Sequence, residues 1–232
     1  MMGAIDRQYM KTPFYGRRRM TVMMQQQGLV VGEKRVRTAM QKMGLEAIYP
    51  KRNLSMSHPA HKKYPYLLRN MNIGEPDQVW SADITYIPLA KGFGYLFAIL
   101  DWFSRYVIDW ELSNMLDTDF CLNTLDRSLL RGKPIIFNTD QGVQFTSTLF
   151  TQRLEDNGIK ISMDGKGRAL DNVFIERLWR SVKYEEIYPR GYESLKEVKQ
   201  GLMRYFSFYN EERPHQSLRN RTPAEVYLGG GI

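Results

Sequence analysis

Residues 94–101, GYLFAILD, form an almost fully apolar run, and a run this short suits a central strand of a sheet. The extended pattern continues on both sides of it. Residues 78–89 carry β-branched and aromatic side chains around Asp83, and residues 106–112 predict a third strand. Gly92 and Gly94 mark the first turn and residues 102–105 the second, so the three strands predict an antiparallel meander. Farther on, 117–131 predicts a helix with Thr118 as its cap, and 134–138 a strand that ends just before Asp140. Residues 146–157 predict a helix stopped by Gly158, and 159–163 the last strand. Strands first, then strand and helix in alternation, predict an α/β fold: a mixed five-stranded sheet flanked by helices.

Residues 171–186, DNVFIERLWRSVKYEE, predict a helix with two faces. At about 100° per residue, Phe174, Leu178 and Val182 form an apolar stripe with Ile175 near its edge. Asn172, Glu176, Arg180 and Lys183 form a wet stripe roughly 140° away. Taken alone, that stripe reads as a solvated surface with i,i+4 pairing of Glu176 to Arg180. Residues 195–210 are amphipathic, and 210–223 form a polar tail.

The N-terminal region predicts two short helices. Residues 16–27 place Met20, Met23 and Met24 on one side before Gly28, and 33–43 place Val36, Ala39, Met40 and Met43 on one side before Gly44. With a turn between them they predict a small N-terminal helix-turn-helix domain. Its second helix exposes Lys34, Arg35, Arg37, Gln41 and Lys42, suited to phosphates and base edges in a major groove, and Arg17, Arg18 and Arg19 add charge. A helical hairpin with a merely basic exterior fits the same spacing. From 49 to 76 the periodicity fails: Pro50, Pro59, Pro65 and Pro76, with Lys51, Arg52, Lys62 and Lys63, predict a basic linker able to track a DNA backbone. His58 and His61 have no carboxylate or thiol nearby in sequence and are assigned to that linker. The expected segments are 1–57, helix-turn-helix; 58–75, basic linker; and 76–232, catalytic core with a helical tail.

Lys plus Arg number 33 against 25 for Asp plus Glu, a formal charge of +8. That excess points to a polyanion, or else serves solubility alone. Nucleic acid fits better than a membrane, because no basic amphipathic helix carries Trp or Leu on its other face. No apolar run approaches the roughly 20 residues of a membrane span, and no signal-peptide core is present. The single cysteine, Cys121, excludes an internal disulfide and a Cys-based zinc site, so a cytoplasmic setting is expected.

Three acids stand out. Asp83 interrupts a strand, where a charge weakens the strand unless it is used. Asp140 follows a buried strand end in NTDQGVQFTS, where Gly142 permits a sharp turn. Glu176 lies on the wet face of the later helix. Singly each is ordinary; together they suggest a hard-cation site, because Mg²⁺ takes carboxylate and phosphate oxygens. Two such ions about 3.5 to 4 Å apart would clamp the attacking and leaving oxygens of a phosphodiester. The chemistry expected is phosphoryl transfer on DNA.

The order Asp83, Asp140, Glu176, with 35 residues between the last two, resembles the Asp-Asp-35-Glu pattern of retroviral-type integrases and insertion-sequence transposases. VWSADITYIP, AILDWFSRYVIDWELS, NTDQGVQFTS, GRALDNVFIERLWRSVKYEEIY and YNEERPHQSLRNRTPAEVY resemble the IS-three family in its integrase-core reading frame. The resemblance covers nearly the whole chain. It implies an RNase H-like core, assigns Asp83, Asp140 and Glu176 to Mg²⁺ (Mn²⁺ as substitute), and matches Lys183 to the family's basic residue at the terminal DNA. It implies double-stranded DNA as partner, at element ends and target, a homo-oligomer on that DNA, and a bacterial, nucleoid-associated setting. It further implies an upstream-frame region supplied by fusion or by a partner chain. Asn138-Thr139 stands where many relatives have His-Ser, and the His/Cys zinc ligands of retroviral integrases are missing.

Other residues are assigned by their surroundings. Asp101 reads as a structural acceptor near Ser104 and Arg105, Asp171 as a helix cap, and Asp164, Glu185 and Glu186 as surface groups. Lys166, between Gly165 and Gly167, and the neighbouring Arg168 form a DNA-contacting loop with no Walker pattern. With Arg180, Lys183 and Asn172 these residues are expected to hold DNA mainly through its phosphates. Two other readings remain: a non-catalytic DNA-binding regulator or decayed element product, and an RNase H-like nuclease that cuts without joining.

Overall fold

The three strands of the expected meander pair in order. A computed structural model describes residues 1–13, 15–45, 47, 62–89, 92–165 and 172–229. The chain divides into two compact units, Met1–Met56 and Ser57–Ile232.

In the first unit, α1 (Met2–Lys11), α2 (Arg17–Gln26) and α3 (Glu33–Lys42) close a core of Ile5, Met20, Met24, Val36, Ala39 and Met40. The sequence pattern anticipates α2 and α3 but not α1. The reason is that α1 buries only Ile5 and Gln8, too little to draw an apolar stripe. Gln8 is satisfied by polar partners instead, donating to Thr12 Oγ1 and accepting from Gln27 Nε2. Gly28 and Gly44 take the left-handed conformation that ends a helix cheaply only for glycine.

In the second unit β1 (Val79–Pro88), β2 (Phe93–Asp101), β3 (Val107–Ser113), β4 (Ile136–Thr139) and β5 (Lys160–Met163) make one sheet in the order β3-β2-β1-β4-β5. The β1–β2 and β2–β3 pairs are antiparallel, whereas β4 runs parallel to both β1 and β5. Strand β2 is buried on both faces along most of its length, because its period of two feeds two cores. Phe97 and Ile99 face the layer of α4 (Asp119–Leu129) and α5 (Thr148–Asp156), which contribute Phe120, Leu125, Phe150 and Leu154. Leu96, Ala98 and Leu100 face α6 (Val173–Ser181) and α8 (Leu195–Glu211), with Ile175, Leu178, Val198 and Leu202. Each such large side chain contributes about 1.5–3 kcal/mol by leaving water.

Several local expectations are corrected. Thr118 makes no cap bond to α4; Asp117 Oδ1 accepts from the Phe120 amide instead. The single helix expected over 171–186 is α6 followed by a π-helical segment, Val182–Ile187, and one turn, α7 (Tyr188–Arg190). Ile187 lies about three α-helical turns after Glu176, so an unbroken α-helix would carry it onto the wet face. The widened turn swings it into the core, where it is buried. Ile175, not Phe174, sits at the centre of the apolar stripe, since Phe174 is only half-buried. Glu186 is buried against the Tyr192 hydroxyl rather than on the surface.

The polar tail folds back onto the core. It forms a 3₁₀ turn (Gln216–Leu218), a bridge between His215 and Arg221, and α9 (Pro223–Gly229), whose Tyr227 stacks on Tyr106 and donates to Asp77 Oδ1. The described part of the expected linker, 62–75, packs along the core unit. Tyr64 donates to Glu155, the Leu67 amide donates to Ser162 Oγ, and Leu68 is buried beside Val79 and Ile136. His58 and His61 lie outside the described residues.

Candidate active site

The register of two parallel strands brings the first two acids level. Ser81 of β1 pairs with Asn138 of β4. Asp83 and Asp140 each lie two residues farther on, so both belong to the same face of the sheet. Asp140 is one residue past the end of β4, where the chain turns. Its Oδ1 accepts from the Gly142 amide at 2.8 Å, and a Cβ at position 142 would stand 2.8 Å from that same oxygen. A side chain at 142 would therefore push the Asp140 carboxylate out of this bond.

Helix α6 covers that face. Trp179 Nε1 donates to Asp83 Oδ2 at 2.8 Å, and Glu176, one turn earlier, is exposed. Burial pushes the Asp83 carboxyl up to about 6; the Trp179 bond opposes this, and the negative charges of Asp140 and Glu176 raise it further. Asp140 is open to solvent yet crowded by protein atoms, and this desolvation raises it too, against the Gly142 hydrogen bond. Lys183, half-buried, is lowered by burial while the Asp83 charge holds it up. Asp83, Asp140, Glu176 and Lys183 thus share one electrostatic neighbourhood.

Among the described residues, no three His, Cys, Asp or Glu side chains gather closely enough to form a ready metal cage. The donor set is nonetheless all oxygen, and it concentrates negative charge that burial makes costly. Both features suit a hard cation. An ionised Asp offers about four acceptor positions, of which the indole bond uses one.

The other expected site residues are dispersed. Asn172 is buried at the start of α6, with no partner for its Oδ1 among the described residues, so it is not on the wet face. Arg180 is exposed, but lines a different cleft with Arg105 and Arg177. Lys166, Arg168 and Asp171 lie outside the described residues. In the first unit Lys34, Arg35 and Arg37 are exposed on α3, whereas Arg17 and Arg18 both face Glu33, which spends part of their charge internally. Asp164 is half-buried rather than a surface group; its Oδ1 accepts from Asn138 Nδ2 at 2.8 Å and its amide donates to Thr139 O, which ties the ends of β4 and β5. Asp101 is the structural acceptor expected, taking bonds from the Ser104 amide and hydroxyl and from the Asp77 amide.

Trp179 escaped the sequence reading. Its spacing of three from Glu176 is visible in the sequence, but an indole on a half-apolar helix reads as core.

The integrase core domain model matches residues 74–169, a second integrase core domain model matches 157–223, and an HTH-like domain model matches 1–53. The chain is 29% identical over 91% of its length to the transposase for insertion sequence element IS904 of Lactococcus lactis, covering 86% of that protein. It is 28% identical over 91% of its length to the transposase InsF for insertion sequence IS3A of Escherichia coli, covering 76% of it. Among solved structures, the HTLV-2 integrase catalytic core domain in complex with magnesium superposes with a TM-score of 0.54, at 20% identity, over 66% of this chain and 97% of that one. The simian T-cell lymphotropic virus intasome in complex with a PP2A regulatory subunit gives a TM-score of 0.60 at 14% identity, over 92% of this chain and 70% of that one.

Proposed function

Because the chain belongs to the integrase-core family, with insertion-sequence transposases among its relatives, we propose that it is a DNA transposase whose metal-dependent site is Asp83, Asp140 and Glu176. The observation that carries this reading is the strand register that sets Asp83 level with Asp140 on the sheet face covered by α6, whose Trp179 bonds Asp83 one turn from Glu176. Asp83, Asp140 and Glu176 would hold Mg²⁺, or Mn²⁺ in its place, and the ion would supply Lewis-acid activation of the attacking hydroxyl and stabilisation of the leaving oxygen.

The chain's own residues do the rest. Trp179 fixes the orientation of Asp83, and the Gly142 turn aims Asp140. Lys183, beside Asp83, is positioned to meet a phosphate of the terminal DNA. Lys34, Arg35 and Arg37 on α3 would enter a major groove, with Arg17, Arg18, Lys166 and Arg168 adding phosphate contacts. In this reading residues 1–57 dock DNA, 58–75 connect the two units and 76–232 do the chemistry. The working form is a homo-oligomer assembled on element ends in a bacterial cytoplasm.

Labelled duplexes carrying the element's own termini, incubated with Mg²⁺ or Mn²⁺, test this. The wild-type chain is expected to nick and then join strands, and Glu176→Gln to lose both steps while still retarding the duplex. Undiminished product from Glu176→Gln would refute the assignment. Nicking without joining would favour a nuclease.

A further inference from the structure

Around the helix from Glu176, by about 100°, a second feature has no part in the acid site. Arg105, Arg177, Arg180, Arg213 and His215 line a cleft of about 550 Å³. Its one carboxylate, Glu185, is already engaged, accepting two bonds from the Arg213 guanidinium and one from the Tyr205 hydroxyl. Arg177 and Arg180 enter no ion pair among the described residues.

Arg105 is held there at a cost. Its backbone is left-handed, φ 62°, a conformation that strains a long side chain. Its guanidinium lies over the Phe174 ring, 3.4 Å from the centroid, and Nη1 is buried with no hydrogen-bond partner among the described residues. Burial, with the Arg177 charge adding to it, pulls Arg105 down to about 10. His215 is likewise held down, to about 4, by burial and by Arg213 and Arg105, so it is neutral at pH 7, with its Nε2 3.2 Å from Arg213 Nη1. The cleft therefore gathers guanidinium charge in a concavity, together with a donor that lacks an acceptor. Phosphate oxygens supply what is missing, because they match the guanidinium fork and pair two donors at once.

We propose that this cleft, which borders the stripe that carries Glu176, is a phosphate-binding site that takes a backbone phosphate of a DNA strand. The inference rests on the transposase reading for its choice of strand. One observation favours DNA over a free ion. Tyr184, 68% exposed and edge-on to Tyr188, flanks the cleft and offers a ring on which a base can stack. Arg177 and Arg180 stand within about one helical turn of Glu176 on α6, so a phosphate held by them would sit beside the acids.

Arg177 and Arg180 are exposed and unpaired, so Arg177→Gln and Arg180→Gln are expected to leave the thermal midpoint unchanged. Fluorescence anisotropy with a short labelled duplex across a salt series reads the effect. The double variant is expected to weaken binding at least tenfold near 0.1 M salt and to lower the salt slope by about one per charge removed. Lysine at both positions is expected to restore most of the slope. Arg204→Gln, outside the cleft, sets the loss due to net charge alone. Equal losses from Arg204→Gln and the cleft variants overturn the proposal. Wild-type duplex affinity in the cleft variants overturns it too, and calorimetric binding of inorganic phosphate that they abolish would then mark a free-anion site; if Glu176→Gln still binds DNA without cutting it, the transposase reading survives. A wild-type chain that binds no duplex sinks both.

Discussion

Trp179 contributes a hydrogen bond that decides how Asp83 is presented. Its Nε1 donates to Asp83 Oδ2 and lowers a carboxyl that burial otherwise raises. Trp179→Phe keeps most of the packing and removes the donor. Orienting partners of this kind are worth about 10–100-fold in metal affinity, so half-maximal cleavage should need at least about tenfold more Mg²⁺, with the rate restored at saturating metal. A loss that excess metal does not restore would assign Trp179 to packing alone. Gly142 is equally constrained: in Gly142→Ala the new Cβ meets Asp140 Oδ1 at 2.8 Å. Cleavage is expected to fall by at least about tenfold, since a displacement near 1 Å can cost on the order of 100-fold, while the unfolding midpoint barely moves. The three acids stand out in the sequence because their chemistry is unusual for their local pattern. Trp179, Asn172 and Arg105 do not, because what each does depends on neighbours far away in sequence.

At the level of elements, the strands were legible where burial imposes a period, as in β2, whose alternate residues feed two different cores. Helix α1 was hidden by a polar interior contact through Gln8, and the π turn after α6 by the fact that only tertiary packing requires Ile187 to face inward. Asn210 is another such case, written off as the start of a polar tail. Its Oδ1 accepts from the Val107 amide and its Nδ2 donates to the Val107 carbonyl, so one side chain pins α8 to β3. Asn210→Ala leaves both buried groups unpaired, at about 1–3 kcal/mol each, and should lower the denaturant midpoint accordingly; an unchanged midpoint would mean water replaces the amide. The turn after α8 gives a pH dependence. His215 is lowered from 6.5 to about 4. Its contribution to stability is therefore complete above about pH 6.5 and lost as pH falls toward 4, by no more than about 3 kcal/mol. Arg213 and Arg105 oppose its protonation and Glu185 favours it. His215→Gln should flatten the thermal midpoint against pH in that window, and an unaltered profile would show that other groups set it.

For the whole molecule, the division into two units with separate cores means that stability is a property of each unit. All four tryptophans, Trp80, Trp102, Trp110 and Trp179, belong to the second unit, so their fluorescence reports on it alone. Met24→Asp buries a charge in the helical core of the first unit and should remove much of that unit's helical circular dichroism. The tryptophan transition should stay at its wild-type midpoint, and a shared shift would show that the two units unfold as one. Duplex affinity should fall in the same variant, because the α3 cations lose their scaffold. The central claim is that Asp83, Asp140 and Glu176 hold a divalent ion in common. The most direct measurement is Mn²⁺ binding, followed by electron paramagnetic resonance, to the chain saturated with a short duplex. Asp83→Asn, Asp140→Asn and Glu176→Gln should each weaken binding by at least about tenfold, roughly 1.4 kcal/mol; three variants that bind Mn²⁺ as tightly as the wild-type chain would contradict it.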